Sequence, residues 1–136
     1  MGDSQSQFQE LLAHMVARID KMLASQSEMF PLALLLLDDG RVETSIATYE
    51  SVEQIPALLN AMQEAAATKV LGASVVASCI AYPDYDSVAV IAFLENRNNY
   101  CSKITLPIAT EPTLHLDTTN MTVADGDVYV FPVAAS

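Results

Sequence analysis

The sequence of 136 residues has few glycines, and this shortage excludes a large class of ligand sites. Glycine occurs four times, at Gly2, Gly40, Gly72 and Gly126, and no two of these positions lie close together. Walker-type and dinucleotide-binding loops need clustered glycines so that the backbone can approach a phosphate. The sequence therefore predicts neither kind of nucleotide-binding loop.

Cysteine and histidine are also scarce, and the chain has two of each: Cys79, Cys101, His14 and His115. A zinc site needs three or four ligands at workable spacing, which these residues do not offer. The cysteines are typical of thiols in a reducing compartment, although a disulfide between them stays open. Cys101 with His115 is a pair that neighbouring strands could bring together as nucleophile and base. We expect no metal ion and no other cofactor.

Positive charge is the third shortage. The chain has six Lys and Arg residues against seventeen Asp and Glu, a formal net charge of −11, and the cations are scattered along the sequence. Nucleic acids and anionic membrane surfaces are bound by clustered cations, so we expect neither partner. No apolar stretch reaches the roughly 20 residues that span a bilayer. The N-terminal residues lack the basic region and apolar core of a secretory signal, so we expect a cytoplasmic protein.

The most informative segment present is the apolar run Leu32–Leu37, which ends at the turn residues Asp38–Gly40. A run without a polar member predicts a strand that is covered on both faces. In the return segment Val42–Thr48, apolar or β-branched residues alternate with smaller or polar ones. This pattern predicts a β-hairpin whose first arm lies inside the sheet and whose second arm lies nearer an edge.

Two amphipathic patterns supply the cover for this hairpin. The segment Ser4–Ser25 predicts a helix with an apolar stripe of eight residues: Phe8, Leu11, Leu12, Met15, Val16, Ile19, Met22 and Leu23. A second helix is predicted from Ser51 to about Gly72, because Ser51 and Gln54 have the spacing of a capping box.

The rest of the chain has the composition of strands and turns. Three strands are predicted as a meander over Ala73–Ala81, Ser87–Leu94 and Tyr100–Ile108, with turns at Tyr82–Asp86 and Glu95–Asn99. Two shorter strands are predicted at Thr113–Asp117 and Val128–Val133. The expected fold is a single α+β domain over residues 1–136, with an N-terminal helix, a β-hairpin, a helix, a three-strand antiparallel meander and a short β tail.

The order of these elements over about residues 5 to 108 resembles the roadblock/profilin-like architecture. Roadblock domains commonly dimerise and serve as scaffolds or regulators of small GTPases, and the resemblance implies a similar role. The local pattern Phe30-Pro31-Leu32-Ala33, followed by the Asp39-Gly40 turn, is similar to the opening of a family of small uncharacterised bacterial proteins. Neither resemblance assigns a site residue.

The expected function is that of a non-catalytic interaction or scaffold module. The surplus of apolar surface favours a homodimer, formed through the first helix or a sheet edge, and Tyr82 and Tyr85 at an exposed turn are candidate residues for binding a protein partner. An alternative is a small-ligand binder or an enzyme with a site assembled from Cys79, Cys101, His115 and Tyr82. An accessory subunit of a larger complex is a further alternative.

Overall fold

The computed structural model describes residues 4–26, 29–72, 74–98, 100–111, 113–126 and 130–131. Helix α1 spans Ser4–Gln26 and helix α2 spans Ile55–Gly72, preceded by a 3-10 turn at Val52–Gln54. The strands are β1 (Leu32–Leu37), β2 (Val42–Ile46), β3 (Val75–Asp84), β4 (Ala89–Asn96), β5 (Cys101–Ala109), β6 (His115–Leu116) and β7 (Thr122–Asp125). The predicted α+β class and the order of its main elements are confirmed.

The strands form one antiparallel sheet in the order β2-β1-β3-β4-β5-β6, and β7 pairs with a different part of β5. Strand β1 therefore lies between β2 and β3, and β2 lies at the edge, as the sequence predicts. Helix α1 packs on one face of the sheet, against β1, β3, β4 and β6, whereas α2 packs on the other face, against β1 and β3.

The two helices explain why β1 has no polar residue. Leu32, Leu34 and Leu36 belong to the core beneath α1, and the alternating residues Ala33, Leu35 and Leu37 belong to the core beneath α2. Because successive side chains of a strand point to opposite faces, a strand between two helical layers buries every residue. All six residues of β1 are buried.

The apolar stripe of α1 is used within the chain. Leu11, Met15, Ile19 and Leu23 follow one another at intervals of four residues and are almost completely buried. The other four apolar residues of the stripe pack against the same core. Burying a side chain of this size stabilises the fold by roughly 1.5–3 kcal/mol. The helix thus keeps little apolar surface that the chain itself does not cover.

Strand β3 is longer than predicted, because Tyr82, Pro83 and Asp84 continue the strand and the turn begins at Tyr85. Proline lacks an N–H, so in sheets it occupies positions where no strand needs that donor. The pairing of β1 with β3 ends at Leu32 and Ala81. Pro83 lies beyond that end and still pairs with β4 at Val90.

The C-terminal tail completes the far edge of the sheet. The strand predicted at Thr113–Asp117 is present as the short β6, and β7 was not predicted because all four of its side chains are exposed and give no apolar alternation. The strand predicted over Val128–Val133 lies outside the described residues, except for Val130 and Phe131, which are buried but not in a strand.

Candidate functional site

A groove runs between α2 and the neighbouring face of β3 and β4. Its inner cavity has a volume of about 320 Å³ and its outer cavity about 440 Å³. Pro56, Leu59 and Tyr82 line both cavities, so we treat the two as one site, the Tyr82 groove. The inner cavity is also lined by Asn60, Gln63, Ile80 and Phe93, and the outer cavity by Val52, Ile55, Pro83, Asp84, Tyr85 and Asp86.

The start of α2 is fixed by a capping box that positions the helical wall of the groove. Ser51 accepts a hydrogen bond from the backbone N–H of Glu53, and the side chain of Gln54 accepts one from the backbone N–H of Ser51. Pro56 follows in the first turn of α2, where its missing N–H costs little. Further along α2, Leu59, Asn60 and Gln63 lie on one side of the helix and line the inner cavity.

The floor of the groove is aromatic and aliphatic. Ile80 on β3 lies directly opposite Phe93 on β4 in the strand register. The rings of Tyr82 and Phe93 are stacked, with centroids 6.4 Å apart and planes 18° apart. Both rings are only partly buried. An aromatic surface of this kind offers a large apolar contact area with little conformational freedom to lose on binding.

The outer end of the groove is held by a pair of tyrosines. The hydroxyl of Tyr85 lies 2.7 Å from the hydroxyl of Tyr49, which in turn donates a 3.4 Å hydrogen bond to the backbone carbonyl of Met29. The ring of Tyr49 also contacts Phe30 edge-on at 5.1 Å. The structure therefore brings the two predicted residues, Tyr82 and Tyr85, to the same cavity, with the Tyr85 side chain 42% exposed.

The charge at the outer end is negative. The carboxylate of Asp84 accepts a 3.2 Å hydrogen bond from the backbone N–H of Asp86 and a 2.9 Å bond from the hydroxyl of Ser87. These bonds fix the turn and leave Asp86 exposed at the mouth of the groove. The described residues that line the two cavities include two carboxylates and no cation.

The residues of the alternative site are not brought together. Cys79 lies in the core beneath α1, where burial raises the pKa of its thiol to about 12. Cys101 begins β5, whereas His115 pairs with Ala109 at the other end, about 26 Å along an extended strand. The thiols of Cys79 and Cys101 are not joined in a disulfide. Tyr82 lies on the sheet face opposite to that of Cys79.

The buried carboxylate of Glu95 lies on the same face of the sheet, beyond the groove. Glu95 is 2% exposed, and its two oxygens accept backbone hydrogen bonds from Val130 at 2.7 Å and Phe131 at 3.0 Å. Burial raises the pKa of Glu95, and the two backbone donors partly oppose that rise. Val130 and Phe131 belong to the core beneath α2. We call this contact the Glu95 clasp.

The sequence prediction included the tyrosines but not the helical wall, Phe93 or the Glu95 clasp. No motif distinguishes Asn60 and Gln63 from other polar residues on a helix surface. The sequence predicts a turn over Glu95–Asn99, but the structure continues β4 through Glu95 and Asn96. The backbone groups bound by Glu95 lie 35 and 36 residues further along the chain, so no local pattern indicates this role.

Within the described ranges, no group of three or more His, Cys, Asp or Glu side chains is arranged to hold a metal ion. The helices in those ranges are not long and apolar enough to cross a membrane. Comparison of the chain with protein-family models, with curated proteins and with solved structures found no match.

Proposed function

We propose that this protein is a non-catalytic interaction module that acts as a homo-oligomer and binds a segment of a partner protein in the Tyr82 groove. The observation that supports the proposal is the partly exposed, stacked pair of Tyr82 and Phe93 beside α2. Aromatic surfaces that line a concavity are typical anchor points for protein partners. We also propose a bacterial, cytoplasmic setting, on the strength of the sequence resemblance and of the two cysteines, which are not joined in a disulfide.

The charge of the groove favours a partner segment that joins an apolar side chain to a basic one. The apolar side chain would lie over Tyr82, between β3 and Leu59 of α2. The basic side chain would lie next to Asp84 and Asp86 at the outer end. The net charge of −11 adds a long-range attraction for cationic partners, which raises the association rate and weakens with added salt.

A photo-crosslinking experiment in the native host tests this proposal. Benzoylphenylalanine in place of Tyr85 lies at the mouth of the groove, and the same substitution at Tyr100, which is 61% exposed and belongs to neither cavity lining, is the control. We expect a discrete crosslinked protein from position 85 and not from position 100. Identical crosslinking patterns from both positions would refute the groove as the binding site.

A pair of helix substitutions separates blocking of the groove from a general charge effect. Asn60→Arg places a long side chain in the inner cavity, whereas Ala61→Arg adds the same charge at an exposed position that lines neither cavity. We expect the first substitution to abolish crosslinking from position 85 and the second to preserve it. Loss of crosslinking in both variants would mean that charge, not occupation of the groove, governs binding.

The second candidate function is binding of a small molecule, and the volume of the inner cavity favours it. About 320 Å³ lies at the lower end of the range of small-molecule sites. Asn60 and Gln63 would then supply the polar contacts. Native mass spectrometry of protein purified gently from its host distinguishes the two functions, because a retained small molecule adds a defined mass to the chain.

A further inference from the structure

The outer edge of β2 carries backbone groups that are free to pair. In the part of the chain that the structure describes, β1 is the only strand paired with β2. The backbone N–H of Leu37 donates to the carbonyl of Arg41 at 2.8 Å, and the N–H of Ala47 donates to the carbonyl of Pro31 at 2.9 Å. Both bonds join odd-numbered residues in the register of the β1–β2 ladder, so the backbone groups of the odd-numbered residues of β2 face β1. The N–H and C=O groups of the even-numbered residues therefore point away from β1. These residues are Val42, Thr44 and Ile46.

We propose, as an extension that rests on the proposed self-association, that two copies pair β2 with β2 in antiparallel fashion and extend the sheet across a two-fold axis at Thr44. In this arrangement Thr44 lies opposite Thr44 of the partner subunit, and Val42 lies opposite Ile46 of the partner subunit. A two-fold axis makes the contact isologous, so the assembly closes as a dimer.

The positions of the outward-pointing backbone groups of β2 fit this register. Each pair of outward-facing residues in an antiparallel ladder exchanges two hydrogen bonds. The pairing places all three outward residues, Val42, Thr44 and Ile46, in such pairs. The edge then changes from a row of solvated backbone groups, which proteins normally protect, to an interior ladder.

The side chains of β2 also fit this register. Ile46 is 44% exposed although it is a large apolar residue, and the pairing places it against Val42 of the partner subunit. Glu43 lies opposite Ser45 of the partner subunit, so no like charges face each other. Two neighbouring registers keep the same hydrogen-bonding residues. An axis at Glu43 would place two carboxylates directly opposite each other, which is destabilising. An axis at Ser45 would pair only Thr44 with Ile46 and would leave Val42 without a partner inside the strand.

The strands at the opposite edge of the sheet offer less, because β6 has two residues and β7 has four. The N–H of Gly126 donates to the carbonyl of Cys101 at 3.0 Å, which sets the hydrogen-bonding phase of β7 against β5. In that phase only Val123 and Asp125 of the four residues point their backbone groups outward. Strand β2 therefore has three residues whose backbone groups point outward, whereas β7 has two. The longer edge, that of β2, forms the interface.

A proline substitution tests the interface without breaking the fold of the subunit. Thr44→Pro removes an outward N–H and leaves the ladder between β1 and β2 intact, and proline is tolerated on edge strands in this orientation. Val123→Pro is the matched control on the β7 edge. By light scattering after gel filtration at micromolar concentration, we expect about twice the chain mass of 14.7 kDa for the wild type and the control, and the single-chain mass for Thr44→Pro. Circular dichroism checks that each variant folds.

Cysteine crosslinking tests the register in a Cys101→Ser background. Opposed residues of a hydrogen-bonded pair have Cα atoms about 5.5 Å apart, within disulfide range. Thr44→Cys should therefore form an oxidised dimer, and Ser45→Cys, opposite Glu43 of the partner subunit, should form little. A dimer that keeps its mass in Thr44→Pro or crosslinks better through position 45 would overturn the interface or its register. A wild-type monomer would overturn self-association itself, while groove binding is read separately from the Tyr85 crosslink.

Discussion

Removing the carboxylate of Glu95 is expected to detach Val130 and Phe131 from the sheet. The two backbone N–H groups are buried, and in the described residues their acceptors are the two oxygens of Glu95. A hydrogen bond to a charged group contributes roughly 1.5–3 kcal/mol. Burial already opposes the ionised carboxylate, as the raised pKa indicates, so we take the lower bound for each bond. We expect Glu95→Ala to reduce the free energy of unfolding by about 3 kcal/mol.

Two variants provide a comparison for the loss of stability expected in Glu95→Ala. Glu95→Gln keeps the shape and one acceptor oxygen but turns an amide NH₂ toward the second N–H, so its cost should be about 1–3 kcal/mol. Glu64→Ala removes an exposed carboxylate from α2 and should change stability by no more than about 0.5 kcal/mol. Urea denaturation gives the free energies, and hydrogen exchange followed by mass spectrometry reports the protection of residues 130 and 131. Unchanged stability and protection in Glu95→Ala would refute the clasp.

The pH dependence of stability tests the same carboxylate. Because the pKa of Glu95 in the folded protein is raised above its usual value of 4.5, the folded state binds the proton more tightly than the unfolded state. Stability from this group is therefore greatest below pH 4.5 and declines as pH rises through the folded-state pKa. Denaturation curves of the wild type and Glu95→Gln should diverge across that window. Parallel pH profiles would contradict the burial of the charge.

Three further predictions concern other parts of the fold. Val88 has a φ of 52°, which strains the backbone of a β-branched residue, and it is 54% exposed. Val88→Gly should therefore stabilise the protein by about 1 kcal/mol in thermal unfolding. A destabilised variant would contradict the strain. Cys79, with its pKa raised to about 12, should resist thiol reagents at pH 8 until urea unfolds the chain. Labelling of Cys79 in the folded protein would show that its thiol is accessible. The carboxylate of Asp20 accepts a 2.7 Å, partly buried hydrogen bond from the N–H of Leu116. Asp20→Ala should therefore cost about 1–3 kcal/mol in urea denaturation, whereas Asp20→Asn should retain most of the stability. Equal losses in the two variants would exclude this bond as the cause.

The hairpin was predictable because local chemistry and burial agree there. The Gly40 residue of the turn has a φ of 91°, and Arg41 contacts the carboxylate of Asp39 through both its backbone N–H and its side chain. The unbroken apolar run of β1 indicated that both faces of this strand are packed against other parts of the fold. Where a strand is buried on both faces, its composition alone indicates its position inside the sheet.

The groove and the tail were less predictable because their partners are distant in sequence. Tyr82 could be assigned to a strand end near a turn, but its neighbour Phe93 depends on the register of β3 and β4. Strand β7 has four exposed side chains and is held by backbone pairing with β5, which leaves no apolar pattern. The predicted role of Tyr82 and Tyr85 in partner binding, like the resemblance to roadblock domains, stays a prediction.

Native mass spectrometry of the complex from the native host tests the interaction function most directly. We predict a dimer of the chain that carries a protein partner, that loses the partner in Asn60→Arg and that retains it in Ala61→Arg. A chain that arrives as a bare monomer, or that carries a small molecule in place of a protein, would contradict the account.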